Sequence, residues 1–316
     1  MSTLWKLLRD KKMRRRTSRL KPMLSPSHKE QRLEFVSGFV RQQDRGGYKW
    51  HDMMDRVHID EKWFYVTKMN RRYFLWTDED VPERKCQSKR HIQNAPLRLW
   101  TAHLWDGKLG TWAFVETQSA KRTSKNRERG TPVTTPVTVT KPLYRRYLLE
   151  HVFPAIRAQW PGPRSKPIYV QQDNARPHVS VNDPDVLAAG RLGGWDVRLT
   201  SQPPMSPDFN VLDLGFFNAI QALQHQKVTR CVDDLIAAVM DAFVGLDWKV
   251  LDKTFVTLQK VMEEAFKING DNAYRLPHLK KDKTYKESGQ ILRLNCDEHV
   301  CSALDAMDRR FEKTPT

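Results

Sequence analysis

The chain has 316 residues, and its 54 Lys and Arg against 37 Asp and Glu leave a formal net charge of +17. No apolar run approaches the roughly 18 residues that a membrane-spanning helix needs, which argues against a membrane-spanning protein. The excess positive charge predicts a polyanionic partner, and ten Trp, thirteen Phe and eight Tyr place that charge on a folded body. Nucleic acid is therefore the leading partner class, ahead of an anionic membrane surface.

Hydrophobic periodicity divides the chain into strand and helix segments. In chain order it predicts a helix at 27–43, a β-hairpin of strands at 57–66 and 72–76, and a third strand at 97–105. A long basic loop at 117–142 follows, then a helix at 144–160, a strand at 168–172, a short helix at 185–192 and a strand at 195–199. Helices at 211–226, 231–245 and 249–268 come next, and 271–316 is a weakly patterned C-terminal extension. This order predicts an α/β fold with a mixed sheet flanked by helices.

The densest positive charge lies between Lys6 and Lys21, and a second basic stretch occupies the loop at 117–142. The first stretch is either a solvated basic arm or localisation signal, or a segment that contacts DNA phosphates. A loop as long as the second is usually functional or disordered. The candidate DNA-contacting residues are Lys11, Lys12, Arg14, Arg15, Arg16, Lys121, Arg122, Lys125 and Arg127. Four cysteines without paired spacing favour a reducing compartment.

Three acids lie at the ends of predicted elements, where flanking apolar residues would anchor them. Asp60 follows Val57 and Ile59 in the first strand, and Asp173 closes the strand at 168–172. Asp213 falls in the first turn of the helix at 211–226. Carboxyl ends of strands in α/β sheets are where ligands gather, so these acids are candidates for a shared site.

Each acid also has an ordinary structural explanation. Asp60 belongs to a charged run that a solvated surface would tolerate, and Asp173 with Asn174 is a common turn pair. Asn210 with Asp213 three residues later has the spacing of a helix capping box. His178 is either a structural hydrogen-bonding residue or a group that supports the acids.

Three convergent carboxylates would suit two Mg²⁺ or Mn²⁺ ions, because hard cations prefer oxygen ligands. Two such ions activate an oxygen nucleophile and stabilise the leaving oxygen when a phosphodiester is cleaved in line. A cluster of acids would repel DNA by itself, and the positive charge elsewhere in the chain offsets that repulsion.

Three blocks of this sequence resemble the catalytic blocks of mariner-like transposases. They are the residues at 57–64, 171–178 and 206–217, and they include Asp60, Asp173 and Asp213. Thirty-nine residues separate Asp173 from Asp213, which resembles one branch of that family.

The resemblance implies a ribonuclease H-like catalytic core in which Asp60, Asp173 and Asp213 bind two Mg²⁺ or Mn²⁺ ions, with Asn174 and His178 as candidates to support them. It also implies a cut-and-paste DNA transposase of the nucleus. Such an enzyme would cleave terminal inverted repeats and join the ends to a TA target, and it would work as a homodimer on double-stranded DNA. The basic insertion at 117–142 falls where the family places a dimer-contacting segment.

Asp208 is the alternative third acid, because 34 residues separate it from Asp173, the spacing that resembles another mariner branch. The Ser-Pro-Asp turn at 206–208 precedes the catalytic acid in the family, which favours Asp213.

The departure from the family lies at the front of the chain, where relatives carry two helix-turn-helix units. Residues 1–26 are expected to be only a basic remnant of that region in an N-terminally truncated chain, followed by the catalytic domain at 27–270 and an extension at 271–316. Two rival functions stay open, a catalytically silent DNA-binding protein derived from a transposase and a ribonuclease H-like nuclease that acts on RNA or structured DNA.

Overall fold

The structure is a computed structural model that describes residues 21–42, 48–51, 53–65, 91–92, 106–124 and 127–276. The predicted strands at 72–76 and 97–105 lie outside the described residues. So do six candidate DNA-contacting residues, namely Lys11, Lys12, Arg14, Arg15, Arg16 and Lys125. Within the described part of the chain, no helix has the length and apolar character needed to cross a membrane.

The described residues form nine strands and seven α-helices with short π and 3₁₀ turns between some of them. The strands are β1 (Val40–Gln42), β2 (Tyr48–Trp50), β3 (Arg56–His58), β4 (Phe64–Tyr65), β5 (His91–Ile92), β6 (Val115–Ser119), β7 (Pro132–Pro136), β8 (Ile168–Gln172) and β9 (Val197–Ser201). The helices are α1 (Pro26–Ser37), α2 (Lys141–Tyr147), α3 (Phe153–Gln159), α4 (Pro184–Gly190), α5 (Phe217–Gln224), α6 (Val232–Gly245) and α7 (Trp248–Lys267). The π turns Leu148–Val152 and Leu212–Phe216 lead into α3 and α5.

The central sheet has three parallel strands in the order β3-β8-β9. Parallel strands are usually covered on both faces, and the fully buried Val170 in β8 fits that rule. One apolar cluster packs the sheet against α2 to α4, with Phe153 and Ile156 fully buried. A second cluster joins α1 to α5, α6 and α7. The α/β fold with helices around a sheet, predicted from the sequence, is confirmed.

The first predicted helix is shorter than its apolar pattern suggested. Ser25 caps α1 by accepting a hydrogen bond from the His28 amide, and Pro26 suits the first turn. The helix ends at Ser37, and Val40–Gln42 pairs as an antiparallel strand with Tyr48–Trp50. The prediction of helix to 43 is wrong because Phe39 and Val40 fit the apolar side of a helix and a half-buried strand equally well.

Two further predictions need correction. The strand predicted at 57–66 is interrupted, because β3 ends at His58 and Phe64–Tyr65 pairs with His91–Ile92 instead of continuing the central sheet. The segment predicted as a long loop at 117–142 contains an antiparallel ribbon of Val115–Ser119 and Pro132–Pro136. Thr residues suit strands, and the ribbon carries its basic residues at the tip.

Gly190 allows α4 to lie directly on the sheet. It is buried, and a Cβ at this position would stand 2.1 Å from the carbonyl oxygen of Val197 in β9. We expect Gly190→Ala to lower the free energy of unfolding by about 2 to 3 kcal/mol, because the helix must move off the strand. Urea unfolding would measure the loss. Gly245→Ala is the matched control, since a Cβ there meets nothing within 4 Å. Equal stability of the two variants would contradict the prediction.

Candidate active site

The carboxyl ends of neighbouring strands bring the first two acids together. His58 in β3 pairs with Gln171 in β8, and the Ile59 amide donates to the Gln171 carbonyl at 3.0 Å, which extends the pairing beyond β3. Asp60 and Asp173 therefore leave adjacent parallel strands at one edge of the sheet.

Asp213 reaches the same edge from the π turn that leads into α5. The predicted capping box with Asn210 does not form. Instead the Asn210 side chain accepts a hydrogen bond from the Leu212 amide at 3.0 Å, and its backbone carbonyl accepts one from the Leu214 amide. An extra residue in a helical turn changes the direction of the side chains, and π turns occur often at functional sites. Here the turn leaves Asp213 free to face Asp60.

Asp60 and Asp213 form a pair that holds a proton. Burial, followed by the negative charges of Asp213 and Glu61, raises the pKa of Asp60 to about 8. Burial also raises the pKa of Asp213, although one side of this residue is open to solvent. A hydrogen bond joins the two carboxyl groups, so the pair holds one proton between them. The charge of Asp173 acts on Asp213 as well, so all three predicted acids contribute to one electrostatic site.

His178 links Asp173 to Glu61. Its Nδ1 lies 2.7 Å from Asp173 Oδ1, and its Nε2 lies 3.1 Å from both carboxylate oxygens of Glu61. Burial acts to lower the pKa of His178, but the two carboxylates outweigh it and raise the pKa to about 10. Burial likewise acts to raise the pKa of Asp173, and the hydrogen bonds from His178 and the Ala175 amide lower it instead. The imidazolium is thus a positive charge buried among these acids.

Tyr144 covers the histidine from α2. The Tyr144 and His178 rings stack with their centroids 4.2 Å apart, and the phenol donates to the Gln172 side chain at 3.0 Å. Burial raises the pKa of Tyr144 well above its ordinary value, and the charges of Glu61, Asp173 and Asp60 add to the effect. Tyr144 therefore stays neutral and fixes the plane of the imidazole.

Sequence reasoning missed Glu61, Asn210 and Tyr144. In a continuous strand Glu61 would lie on the face opposite Asp60, but β3 ends at His58, so this alternation does not apply. Asn210 is fully buried, and its amide lies 3.4 Å from both the Ile59 carbonyl and Asp60 Oδ2. Only the block at 206–217 could have singled it out.

The remaining candidates lie in three different places. Asn174 donates to the Gln202 carbonyl at 2.7 Å, so it shapes the turn after β8. Lys121, Arg122 and Arg127 are exposed at the tip of the β6–β7 ribbon, where they are open to a polyanion. Asp208 is outside the acid cluster, because Arg32 and Tyr274 occupy its carboxylate.

The acids have the donor chemistry for a divalent cation but are not arranged as a finished metal site. Among residues 21–42, 48–51, 53–65, 106–124 and 127–276, no three His, Cys, Asp or Glu side chains stand at metal-ligand spacing. Three carboxylates fit a hard cation, and the raised pKa of Asp60 reflects excess negative charge that such a cation would offset. Asp60, Asp173 and Asp213 are the residues that would hold it.

We expect removal of the His178 imidazole to change the pKa of Asp173. His178→Ala should raise the pKa of Asp173, since only the hydrogen bond from the Ala175 amide then opposes the effect of burial. Carbon-detected NMR titration of the metal-free protein would measure the change. The control is His51→Ala, which removes a histidine 3.7 Å from Asp55 and should leave Asp173 unaffected. An unchanged pKa in His178→Ala would refute the linkage.

No protein-family model and no curated protein sequence matches the chain. Solved structures do match. They include the Mos1 transposase paired-end complex with left transposon end, at a TM-score of 0.53 and 15% identity over 85% of this chain and 70% of that one. The Mos1 mariner paired-end complex with Mn gives the same values, and the complex with Mg gives 0.53 and 14% identity over 86% and 71%. Together with the mixed α/β architecture, this likeness gives the chain a ribonuclease H-like fold, as the sequence predicted.

Proposed function

We propose that the chain is the catalytic part of a cut-and-paste DNA transposase of the mariner type. The observation that carries the proposal is the convergence of Asp60, Asp173 and Asp213 at one edge of the sheet, where Asp60 and Asp213 hold a proton between them. Carboxylates crowded until one stays protonated near neutral pH are costly for folding, and perturbed acids of this kind cluster at functional sites. The fold shared with Mos1 structures supports the same reading.

In this proposal three acids bind the metal ions, and two neighbouring side chains position those acids. Two Mg²⁺ or Mn²⁺ ions held by the three acids would supply an activated oxygen nucleophile and stabilise the leaving oxygen. His178 holds Asp173 in place through a 2.7 Å contact, and Asn210 contacts Asp60. Two of the solved complexes are described with Mn and with Mg, which supports a divalent ion here.

Asp213, and not Asp208, is the third metal-binding acid in this proposal. Both carboxylate oxygens of Asp208 accept hydrogen bonds from the Arg32 guanidinium at 2.8 Å, and Tyr274 donates to one of them. The Arg32 guanidinium therefore neutralises the Asp208 carboxylate and occupies the oxygens that a metal ion would need. Asp213 is partly open to solvent and faces Asp60, as a ligand must.

The proposed substrate is double-stranded DNA that carries terminal inverted repeats, with a TA target and a homodimer as the working unit. The Mos1 complexes contain transposon ends, which supports DNA as the partner. The net charge of +17 and the exposed Lys121, Arg122 and Arg127 on the ribbon suit a phosphate backbone. The same proposal includes a nuclear location and a catalytic domain at 27–270, flanked by a basic segment at 1–26 and a C-terminal segment at 271–316.

The decisive experiment incubates the purified chain with labelled DNA or RNA in Mg²⁺ or Mn²⁺, beside Asp60→Ala and Asp173→Ala. Metal-dependent DNA cleavage that both substitutions remove is the expected result. Salt-sensitive DNA binding without cleavage, unaffected by metal or substitution, would instead establish the silent DNA-binding protein. Preferential cleavage of RNA would establish the ribonuclease.

A further inference from the structure

Arg32 is a charged side chain with no exposed surface, although it lies on the first helix, far in sequence from the acids. Its guanidinium donates to both carboxylate oxygens of Asp208 at 2.8 Å and to the Gly270 carbonyl at 2.7 Å. It also lies over the Phe209 ring, 4.1 Å from the centroid. Fully buried charges are rare unless paired, and a two-pronged pair of this kind fixes orientation as well as distance.

Tyr274 completes this arrangement from the other side. Its hydroxyl donates to Asp208 Oδ2 at 2.5 Å. Burial raises the pKa of Tyr274, and the charge of Asp208 raises it further, so the phenol remains a donor. We call Arg32, Asp208 and Tyr274 the Arg32 clasp. It joins α1, the 3₁₀ turn Pro207–Phe209 and the segment after α7.

Further contacts hold the two outer segments of the clasp together. Lys29 pairs with Asp271, and the Asn272 side chain donates to the Pro22 carbonyl at 2.7 Å. A Cβ at Gly270 would stand 2.2 Å from the Lys29 carbonyl oxygen, so the chains are in close contact where Arg32 binds. Asp208 is thus bound to two segments, α1 and the residues after α7, that are themselves held together by several contacts.

The residues that follow Asp208 lead directly to the acids. Phe209 is fully buried, and its carbonyl accepts a hydrogen bond from the Gln171 side chain at 3.0 Å. The next residue is Asn210, which contacts Asp60 and the Ile59 carbonyl and accepts from the Leu212 amide. Asp213 lies three residues after Asn210. The turn held by the clasp therefore sets both the Asn210 contact to Asp60 and the start of the helix that carries Asp213.

We propose that Arg32 and Asp208 are positioning residues for the Asp60–Asp213 pair, and that the clasp sets how tightly the site takes up a divalent cation. The inference rests on the proposed function, since it assumes that these acids bind metal. Neither Arg32 nor Asp208 would be a ligand of the metal. Their effect passes along the backbone from Asp208 through Phe209 to Asn210. Because the ion pair with Arg32 fixes the turn at Asp208, loss of the pair would let the turn shift and move Asn210.

The test measures Mn²⁺ binding to the full metal-free chain by calorimetry, with no DNA present. Arg32→Lys keeps the charge but loses the fork, and Asp208→Asn keeps the shape but loses the charge. Each should weaken Mn²⁺ binding about tenfold, as changes in the groups that orient metal ligands do. Tyr274→Phe removes one hydroxyl, keeps the ion pair and should give a smaller loss in the same direction.

Arg145→Lys and Asp183→Asn are matched controls, because they alter another Arg–Asp pair with a buried carboxylate. These two control variants should bind Mn²⁺ with the affinity of the unaltered chain. Like the Arg32 and Asp208 variants, they should have a lower melting temperature, because each weakens an ion pair with a buried partner. Absence of Mn²⁺ binding by the unaltered chain would refute the proposed function. A second outcome would overturn the positioning role and leave the proposed function intact. In that outcome the unaltered chain binds Mn²⁺, and Tyr274→Phe and every folded variant among Arg32→Lys and Asp208→Asn bind it with the same affinity. An equal loss in the control pair would also overturn it.

Discussion

Asp213→Asn is expected to lower metal-dependent DNA cleavage at least about 10³-fold at saturating Mg²⁺, which corresponds to about 4 kcal/mol of transition-state stabilisation. The amide keeps the shape of the side chain but removes the negative charge that a divalent cation needs. Asp208→Asn is expected to cleave within about tenfold of the unaltered chain under the same saturating conditions. Its oxygens already belong to Arg32 and Tyr274.

Single-turnover cleavage of labelled duplex DNA at several Mg²⁺ concentrations would measure this difference. Saturating metal is needed because the Asp208 substitution should weaken metal binding without removing a ligand. DNA binding, measured in EDTA, should be the same for both variants and shows that each is folded. If Asp208→Asn abolished cleavage at every Mg²⁺ concentration while Asp213→Asn did not, the assignment of the third acid would be wrong.

The metal-free chain is expected to lose stability as the pH rises, and Asp60 is the main cause. Its pKa in the folded chain is about 8, above the ordinary 3.8, so folding favours the protonated acid. That contribution is complete below about pH 4 and is lost as the pH rises through 8. Each pKa unit is worth about 1.4 kcal/mol, so the loss is on the order of 5 kcal/mol.

Asp60→Asn should remove this dependence, because its amide cannot ionise. His178 contributes a second loss in the same direction, between its ordinary pKa of 6.5 and about 10, so the difference between the two chains isolates Asp60. Urea unfolding at pH 5 to 9, once in EDTA and once with Mg²⁺ and no EDTA, would measure both chains. We expect Asp60→Asn to be the more stable at pH 9, and Mg²⁺ to stabilise only the unaltered chain. Parallel stability curves would refute the prediction.

Much of the fold was predictable because local patterns dominate it. The strand at 168–172 was predicted with the bounds that the structure gives for β8, and the helices predicted at 231–245 and 249–268 agree with α6 and α7 to within one residue. Their apolar residues recur with the period of a buried strand or an amphipathic helix. One error lies at Phe39 and Val40, where a short apolar run suits either a helix or a strand. Another is the β6–β7 ribbon, whose strands form because they pair with each other and not because of a local apolar pattern.

The site was predictable only in part. Asp60, Asp173 and Asp213 were singled out by their places at element ends and by the family resemblance, and the structure brings them together. Glu61 was not singled out, because its contact with His178 spans 117 residues of sequence. Arg32 had no signal at all. Its burial depends on Asp208 and Gly270, which lie 176 and 238 residues away along the chain.

The positive charge, most of the helices and the three acids that are candidates for the site follow from the amino-acid sequence alone. These properties depend on composition and on neighbours within a few turns of chain. Only the tertiary structure decided that Asp60 shares a proton with Asp213, that His178 neutralises Asp173, and that Asp208 serves Arg32 instead of the acid cluster. Each depends on burial and on partners from distant segments, because the energy of a charge is set by what surrounds it in space.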